Sequence, residues 1–244
     1  MARLGHHRAH WMPLVIVAAL GVSVLVYQTL GPSPTDGEIL NQAFLTDRLV
    51  THLQLVGASF AATVAIGVPL GIAMAKAGAW LRVPVLLVAN LGQAVPSIGI
   101  LVLFYAWLGL GSKPAILALV LYALLPVVRN TLVGVQGVDP AAVEAARGMG
   151  MTTWQSLLRV ELPLASPVLF AGLRTALVLI IGTATLGNVI GAGGLGDVIS
   201  AGLNQSDRIV FVGAVMVTTL ALLADWALSL VERAVVPRRI RTAV

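Results

Sequence analysis

The stretch EAARGMGMTTWQSLLRVELP, Glu144–Pro163, is a polar, helix-forming insertion in a chain that is otherwise soluble in lipid. A segment of that kind faces water and meets a partner. Asp139 followed by Pro140 is a helix start, because the carboxylate caps free amides and proline is tolerated at the first helical position. A short helix is therefore expected from Pro140 to about Arg147. Gly148 and Gly150 interrupt it, Thr152-x-x-Gln155 has the form of a capping box, and Leu162-Pro163 is expected to stop the second helix. Two short helices at a glycine corner make a knob, with Met149, Met151, Trp154 and Leu157 available for an apolar pocket on a partner. Methionines suit a surface that must adapt during a cycle. The plainer alternative is an amphipathic hairpin lying on lipid headgroups.

The rest of the chain supplies the contrast. Hydrophobic residues make up 58% and charged residues 10%, with a mean hydropathy of +0.96, whereas soluble domains carry about 25% charged residues. This composition is that of an integral membrane protein, and apolar runs of helix-spanning length make the expected fold all-α. Apolar runs at about 12–30, 53–75, 83–108, 114–134, 167–190 and 209–231 give about six crossings, each needing roughly 20 residues. The first run is a full span ending in the turn Gly31-Pro32-Ser33-Pro34 rather than a cleaved leader. The segment from Pro34 to Thr51 is polar enough for a short surface helix. The chain thus divides into an N-terminal tail, first span and external segment (1–51), a core (52–234) with its water-facing loop at 139–165, and a basic tail (235–244).

Orientation follows from the Lys and Arg count. With the N-terminus inside, the cytoplasmic group is Arg3, Arg8, Lys76, Arg82, Arg129, Arg147, Arg159, Arg233, Arg238, Arg239 and Arg241. That is eleven, against three outside, Arg48, Lys113 and Arg208. The bias places both termini and the Glu144–Pro163 loop in the cytoplasm. It also accounts for a pI near 10.4 without nucleic acid, since the basic residues lie at span ends. The narrowest connection, Gly109–Lys113, leaves room for a re-entrant pair between the third and fourth spans.

Several chemistries are excluded. There are no cysteines, which removes disulfides, thiolate metal sites and thiol catalysis. Gly191-Ala192-Gly193-Gly194-Leu195-Gly196 fits G-x-G-x-x-G, but it follows an apolar span and has no acidic residue about 20 positions on, as dinucleotide binding requires. No phosphate-binding G-x-x-x-x-G-K-[ST] and no H-E-x-x-H occur. His6, His7 and His10 form a basic anchor rather than a metal site. An intramembrane hydrolase would need a reactive pair at one depth, and none is evident.

Glycine, proline and polar residues inside the apolar runs argue for transport rather than anchoring, because helix breaks at membrane depth are tolerated where they are buried or line a water-filled path. Gly67, Pro69 and Gly71 interrupt the second run. Asn90, Gly92, Gln93, Pro96, Ser97 and Gly99 interrupt the third and are the better path candidates. Arg174 and Asp225 are the two ionisable residues well inside runs, and each should face protein or water. Their equal depths make a buried pair feasible, with free carbonyls the alternative partner for Arg174.

Glu144-Ala145-Ala146, then Gly150, then Val160 and Leu162-Pro163 resemble the EAA motif, the loop by which the membrane subunits of ABC-type importers dock into a cleft of their ATPase. Gln93-Ala94-Val95-Pro96-Ser97, Gly172-Leu173-Arg174-Thr175-Ala176, Gly182-Thr183-Ala184-Thr185 and Ile190 to Gly196 narrow the likeness to permeases of the OpuC/ProW-like osmoprotectant group, over roughly His52 to Leu203. Val160 replaces the usual isoleucine. The resemblance implies a type I ABC importer permease in the bacterial cytoplasmic membrane, with two permeases, two ATPases that bind ATP and Mg, and an external binding protein. No cofactor or metal is expected in this chain. Glu144, Ala145, Ala146, Gly150, Met151, Trp154, Leu162 and Pro163 would couple to the ATPase. Asn90, Gln93, Pro96, Ser97, Thr183, Thr185, Asn188, Gly191, Gly193, Gly194 and Gly196 would line the path or gate. Glycine betaine, choline, carnitine and proline betaine are the implied solutes; methionine, sulfonates or another amine are the alternative.

Overall fold

The structure is a computed structural model that describes residues 4–31, 34 and 36–236, with side chains from Pro13 onward. The histidine side chains of the N-terminal tail and the basic residues beyond Val236 lie outside the described residues. Among the described residues every regular element is a helix. They are α1 (Leu4–Thr29), α2 (Asp36–Ile39), α3 (Gln42–Lys76), α4 (Ala79–Ala94), α5 (Ser97–Leu108), α6 (Ser112–Gln136), α7 (Pro140–Gly148), α8 (Thr153–Ser156), α9 (Leu162–Ala184), α10 (Leu195–Gly202) and α11 (Asp207–Val235). A π-turn, Leu157–Glu161, joins α8 to α9, and a 3-10 turn, Thr185–Ile190, follows α9.

All six apolar runs lie on helices, but against the six crossings expected, the described residues give four helices long and apolar enough to cross a membrane, or five if the bent pair α4–α5 is one span. Gln42–Lys76, Ser112–Gln136, Thr153–Ile190 and Asp207–Val235 are each long and apolar enough to span a bilayer. The third run is broken into α4 and α5, which meet at 104° across Val95 and Pro96. The break therefore falls within that run rather than at Gly109–Lys113. Proline explains the position, since it has no N–H to continue α4 and pushes the residue before it out of the helical region. The described part of α1 supplies a further apolar helix, Pro13–Thr29. The polar segment after it yields only the four residues of α2, because Asn41 caps α3 early: its side chain accepts the Phe44 amide at 2.8 Å.

α6 is the centre of the molecule, packed along α3 on one side and α9 on the other. In lipid there is no hydrophobic force to drive helices together, so close contact depends on small residues that admit a neighbouring backbone. Ser59, Thr63, Gly67 and Gly71 lie one turn apart on α3 and are buried. A Cβ on Gly71 would stand 2.5 Å from Thr131 Cβ and 2.9 Å from the Val128 carbonyl oxygen. On the opposite side a Cβ on Gly172 would meet the Pro126 oxygen at 2.7 Å. α11 flanks α9, α1 packs on α11, and α4 and α5 lie against α6.

Five prolines lie inside the described helices, past their first turns, and at two of them, Pro126 and Pro167, a side chain takes up the carbonyl that proline leaves open. Pro126 cannot donate to Tyr122, whose oxygen accepts from Gln93 Nε2 at 3.3 Å. Pro167 cannot donate to Pro163, whose oxygen accepts from Ser166 Oγ at 2.6 Å. An unpaired backbone group in hydrocarbon costs several kcal/mol, so these bonds let proline sit in a span.

Gly71→Ala should destabilise the chain by about 1–3 kcal/mol through overpacking against α6. Gly57→Ala, on the same helix with no atom within 4 Å of the added Cβ, should be neutral or stabilise by up to about 1 kcal/mol. Thermal unfolding of the two variants in one detergent measures the difference; equal midpoints would refute the close α3–α6 contact.

Candidate functional site

The loop between α6 and α9 is built by its caps. Asp139 accepts the Ala141 amide at 2.9 Å and Pro140 opens α7. Thr152 and Gln155 form the reciprocal box: Thr152 N–H donates to Gln155 Oε1 at 2.9 Å, and the Gln155 amide donates to Thr152 Oγ1 at 3.3 Å. Gly150 turns the corner between them at φ +81°, a left-handed backbone that glycine adopts without strain. The corner is closed by Gly150 N–H to Arg147 O and Met151 N–H to Ala146 O.

Two expectations are corrected here. Leu162-Pro163 does not stop the second helix, which runs on through the π-turn into α9 as one rod, Thr153–Ile190. Pro163 sits in the first turn of α9, where proline is tolerated. The register changes just before it, with Leu162 N–H bonding Leu157 O. A π-turn of this sort is frequent at functional sites. Leu157, expected to face a partner, is only 4% exposed, because the continuous rod turns it inward; Met149 and Trp154, each 70% exposed, and Leu158 form the outward apolar face instead. Glu144 and Ala145 are exposed, Met151 is half-buried, and Ala146 is fully buried under the knob.

One charged residue of this loop is buried. Glu161, 3% exposed, lies in the π-turn. One of its oxygens pairs with Lys76, the last residue of α3, and the other accepts from Ser156 Oγ at 3.3 Å. Val138 and Ala165 pack beside this junction with Ile72, Ala75 and Val143. Nothing in the sequence near Glu161 signals a partner 85 residues away.

At the far end of the bundle the glycine-rich turn is packed against three elements. Gly191, Gly193 and Gly194 all have positive φ, and a Cβ on Gly196 would fall 1.9 Å from the Thr185 carbonyl oxygen. His52, buried in α3, ties the turn down. The Leu195 amide donates to His52 Nδ1 at 3.3 Å, which leaves the ring proton on Nε2, 3.2 Å from the Ile181 carbonyl. Arg48 pairs with Asp197 at 3.0 Å and lies over the Phe44 ring. Burial raises the Asp197 carboxyl above its ordinary range, against the opposing pull of Arg48, with Asp47 adding to the rise. Asn188 bonds Ser200 across the turn, while Thr185 Oγ1 donates to its own helix at Gly182 O, 2.7 Å.

The remaining expected path residues are dispersed. Asn90 Nδ2 bonds Leu86 O of its own helix at 2.6 Å, and Gln93 serves the Tyr122 carbonyl. A cavity of about 190 Å³ in the α4–α5 bend is lined by apolar residues including Leu91, Gly92, Val95, Ile100 and Leu121, not by these amides. Pro96 is exposed and Ser97 half-buried at the bend itself, and Thr183 is half-buried on α9. Arg174 chooses Asp225 over carbonyls: Nε to Oδ1 is 2.7 Å and Nη2 to Oδ2 is 2.8 Å, a two-pronged pair, with Glu232 at 3.9 Å. It joins α9 to α11.

A helical bundle with four long apolar helices, a bent fifth pair and a doubly capped polar loop has the build of an integral membrane protein. The chain belongs to the family of binding-protein-dependent transport system inner membrane components, which matches residues 67–237. It is a transport subunit and not an enzyme, and the ATPase of such a system is a separate chain. It is 41% identical over 207 residues, 82% of this chain and 96% of the relative, to the osmoprotectant import permease protein OsmW of Salmonella typhimurium. It is 41% identical over 192 residues, 77% of this chain and 86% of the relative, to the glycine betaine/carnitine/choline permease OpuCB of Bacillus subtilis. The carnitine permease OpuCB of Listeria monocytogenes is 43% identical over 181 residues, 74% of this chain and 83% of the relative. In fold it is similar to the MetNI methionine ABC transporter in an inward-facing conformation, with a TM-score of 0.70 at 24% identity over 79% of this chain and 96% of that one. An amino acid ABC transporter gives 0.67 at 20% identity, over 84% and 100%. The architecture is that of a type I ABC importer permease.

His52→Leu would leave the Leu195 amide and the Ile181 carbonyl without their partner, at about 1–3 kcal/mol for each group, and should lower the unfolding midpoint more than His52→Gln, which keeps a donor and an acceptor. Equal loss in the two variants would show that packing, not the paired bonds, holds the turn.

Proposed function

We propose that this chain is the permease subunit of an ATP-driven importer of osmoprotectants, the quaternary amines glycine betaine, choline, carnitine and proline betaine. It forms the translocation path together with a second permease, another copy of this chain or a related one, between an external binding protein and two cytoplasmic ATPases that bind ATP and Mg. The names of relatives near 40% identity support the solute class. The observation that carries the coupling role is the knob itself, where Met149, Trp154 and Leu158 stand outside a loop made rigid by two caps. Apolar side chains of that size, held in water, fit a cleft in a partner.

In this reading the loop and both termini are cytoplasmic, as the basic residues at span ends favour. Glu144, Ala145, Gly150, Met151 and Trp154 dock into the ATPase; Ala146 supports the docked face from beneath, and Leu162 and Pro163 carry it into α9. When ATP closes the ATPases the rod moves with them and the paired permeases alternate between inward-facing and outward-facing. Asn90, Gln93, Pro96 and Ser97 at the bend, with Thr183, Thr185 and Asn188 beyond α9, line the path. Gly191, Gly193, Gly194 and Gly196 form the gate or the contact with the binding protein. Tyr105, Trp107, Tyr122 and Trp226 lie on three different helices, so the aromatic cage that suits a cation without N–H donors belongs to the binding protein.

Glu144→Lys combined with Gly150→Pro should abolish copurification of the ATPase while the chain still inserts in the membrane, because proline fixes φ near −65° and cannot make the corner. Undiminished copurification would sink the docking assignment.

Single cysteines, free of background because the chain has none, test the orientation: Glu38→Cys should label from outside, and Gln155→Cys only after permeabilisation. The reverse pattern would overturn it. Exchanging only the binding protein should change which quaternary amine stimulates ATP hydrolysis, whereas specificity that stays with the permease would refute its role as a mere path.

A further inference from the structure

We propose that the Lys76–Glu161 pair is the tie through which the docked loop moves α3, making these two residues positioning residues for the coupling of ATP hydrolysis to transport. The proposal rests on the docking role given above. The loop enters the bundle as a rod that includes α8, the π-turn and α9, and α9 packs chiefly on α6, then on α11, and more lightly along α3. α3 reaches the loop only at its last residues. There Ile72 and Ala75 provide apolar contact with Val138, Val143 and Ala165, which is non-directional and yields to sliding. The ion pair is the directional bond at that junction: both carboxylate oxygens of Glu161 are engaged, one by Lys76 and one by Ser156. Lys76 stands in the last turn of α3, where the helix dipole favours a cation. Glu161 sits in the π-turn, so a tilt of the knob is delivered to the α3 end at this bond.

The two partners are not equivalent. Glu161 is 3% exposed as a residue and its side chain 4%, whereas the Lys76 side chain is 39% exposed. Loss of Lys76 strands a buried carboxylate, while loss of the Glu161 charge leaves an ammonium that reaches water. Lys76→Met is therefore the more severe change and Glu161→Gln the milder, an order that a symmetrical surface pair would not give.

The test uses the whole transporter in proteoliposomes with its binding protein and ATPase, and reads solute moved per ATP hydrolysed. Lys76→Met should cut that ratio on the order of tenfold, within the range of coupling between sites. Glu161→Gln should cut it less, both variants should keep the ATPase bound, and the swap Lys76→Glu with Glu161→Lys should recover most of the ratio. A lower yield or unfolding midpoint with an unchanged ratio would show a merely structural pair and overturn the proposal. So would loss of the ATPase in either single variant, or a swap that folds without recovery. If the swap does not fold, Lys76→Arg takes its place, and failure of that conservative change to keep the ratio overturns the proposal equally. Retention of the ATPase by Glu144→Lys with Gly150→Pro is a separate result, which removes the docking role itself.

Discussion

The close approach of α6 to helices on two sides is the constraint on which the rest of the structure depends. Hydrocarbon solvates leucine as well as protein does, so the bundle gains little from burying apolar area against lipid and must gain it from dispersion at short range and from satisfied polar groups. That is why Gly67 and Gly71 face Val127 and Thr131, and why Gly172 lies against the backbone of Pro126. With α3 and α9 seated in this way, the loop between α6 and α9 starts and ends at fixed points, and its two caps are enough to set the knob. Arg174 and Asp225 then fasten α11 to α9 with a bond that lipid does not weaken by hydration.

Polar residues in the spans do more than one job, and the geometry separates them. Gln93 and Ser166 repay backbone carbonyls that prolines leave open, so their presence in an apolar run is explained by helix integrity before any solute is considered. Asn90 bonds its own helix. The 104° bend between α4 and α5 leaves an apolar cavity at its inner corner. A path that uses these residues must therefore run along their outer edges, where Pro96 is exposed and Ser97 half-buried, and not through the corner.

What was legible in the sequence was local. Asp139-Pro140 and Thr152-x-x-Gln155 fixed both helix starts because a cap depends on residues two or three apart. The equal depths of Arg174 and Asp225, counted from one membrane edge, made their pairing feasible but left backbone carbonyls open as the alternative, and the structure chooses the pair. The misreadings share a different cause. Leu162-Pro163 reads as a stop by local rules, yet a π-turn just upstream absorbs the change in register and lets proline begin the next helix. That continuity also buries Leu157. The Lys76–Glu161 and His52–Leu195 contacts join residues 85 and 143 positions apart, and no local pattern marks either member. The break at Val95-Pro96 was visible as a proline but not as an angle, since an X-Pro step permits both a kink and a reversal.

The placement of the two long-range anchors on α3 has a mechanical consequence. At the loop end α3 is tied to the π-turn by Lys76, and at the far end to α9 and the glycine-rich turn by His52, with Arg48 reaching Asp197 on α10. The same rod, Thr153–Ile190, thus holds both ends of α3, and α6 is clamped between them. Helices fastened at two points cannot rotate independently without breaking a buried ion pair or stranding a buried amide, each costing several times thermal energy. If the loop docks as proposed, a displacement at the knob would therefore be shared by α3, α6 and α9. The α4–α5 bend lies outside this clamp: its two short helices meet through Val95 and Pro96 and pack chiefly on α6, so neither long-range anchor of α3 restrains the angle between them.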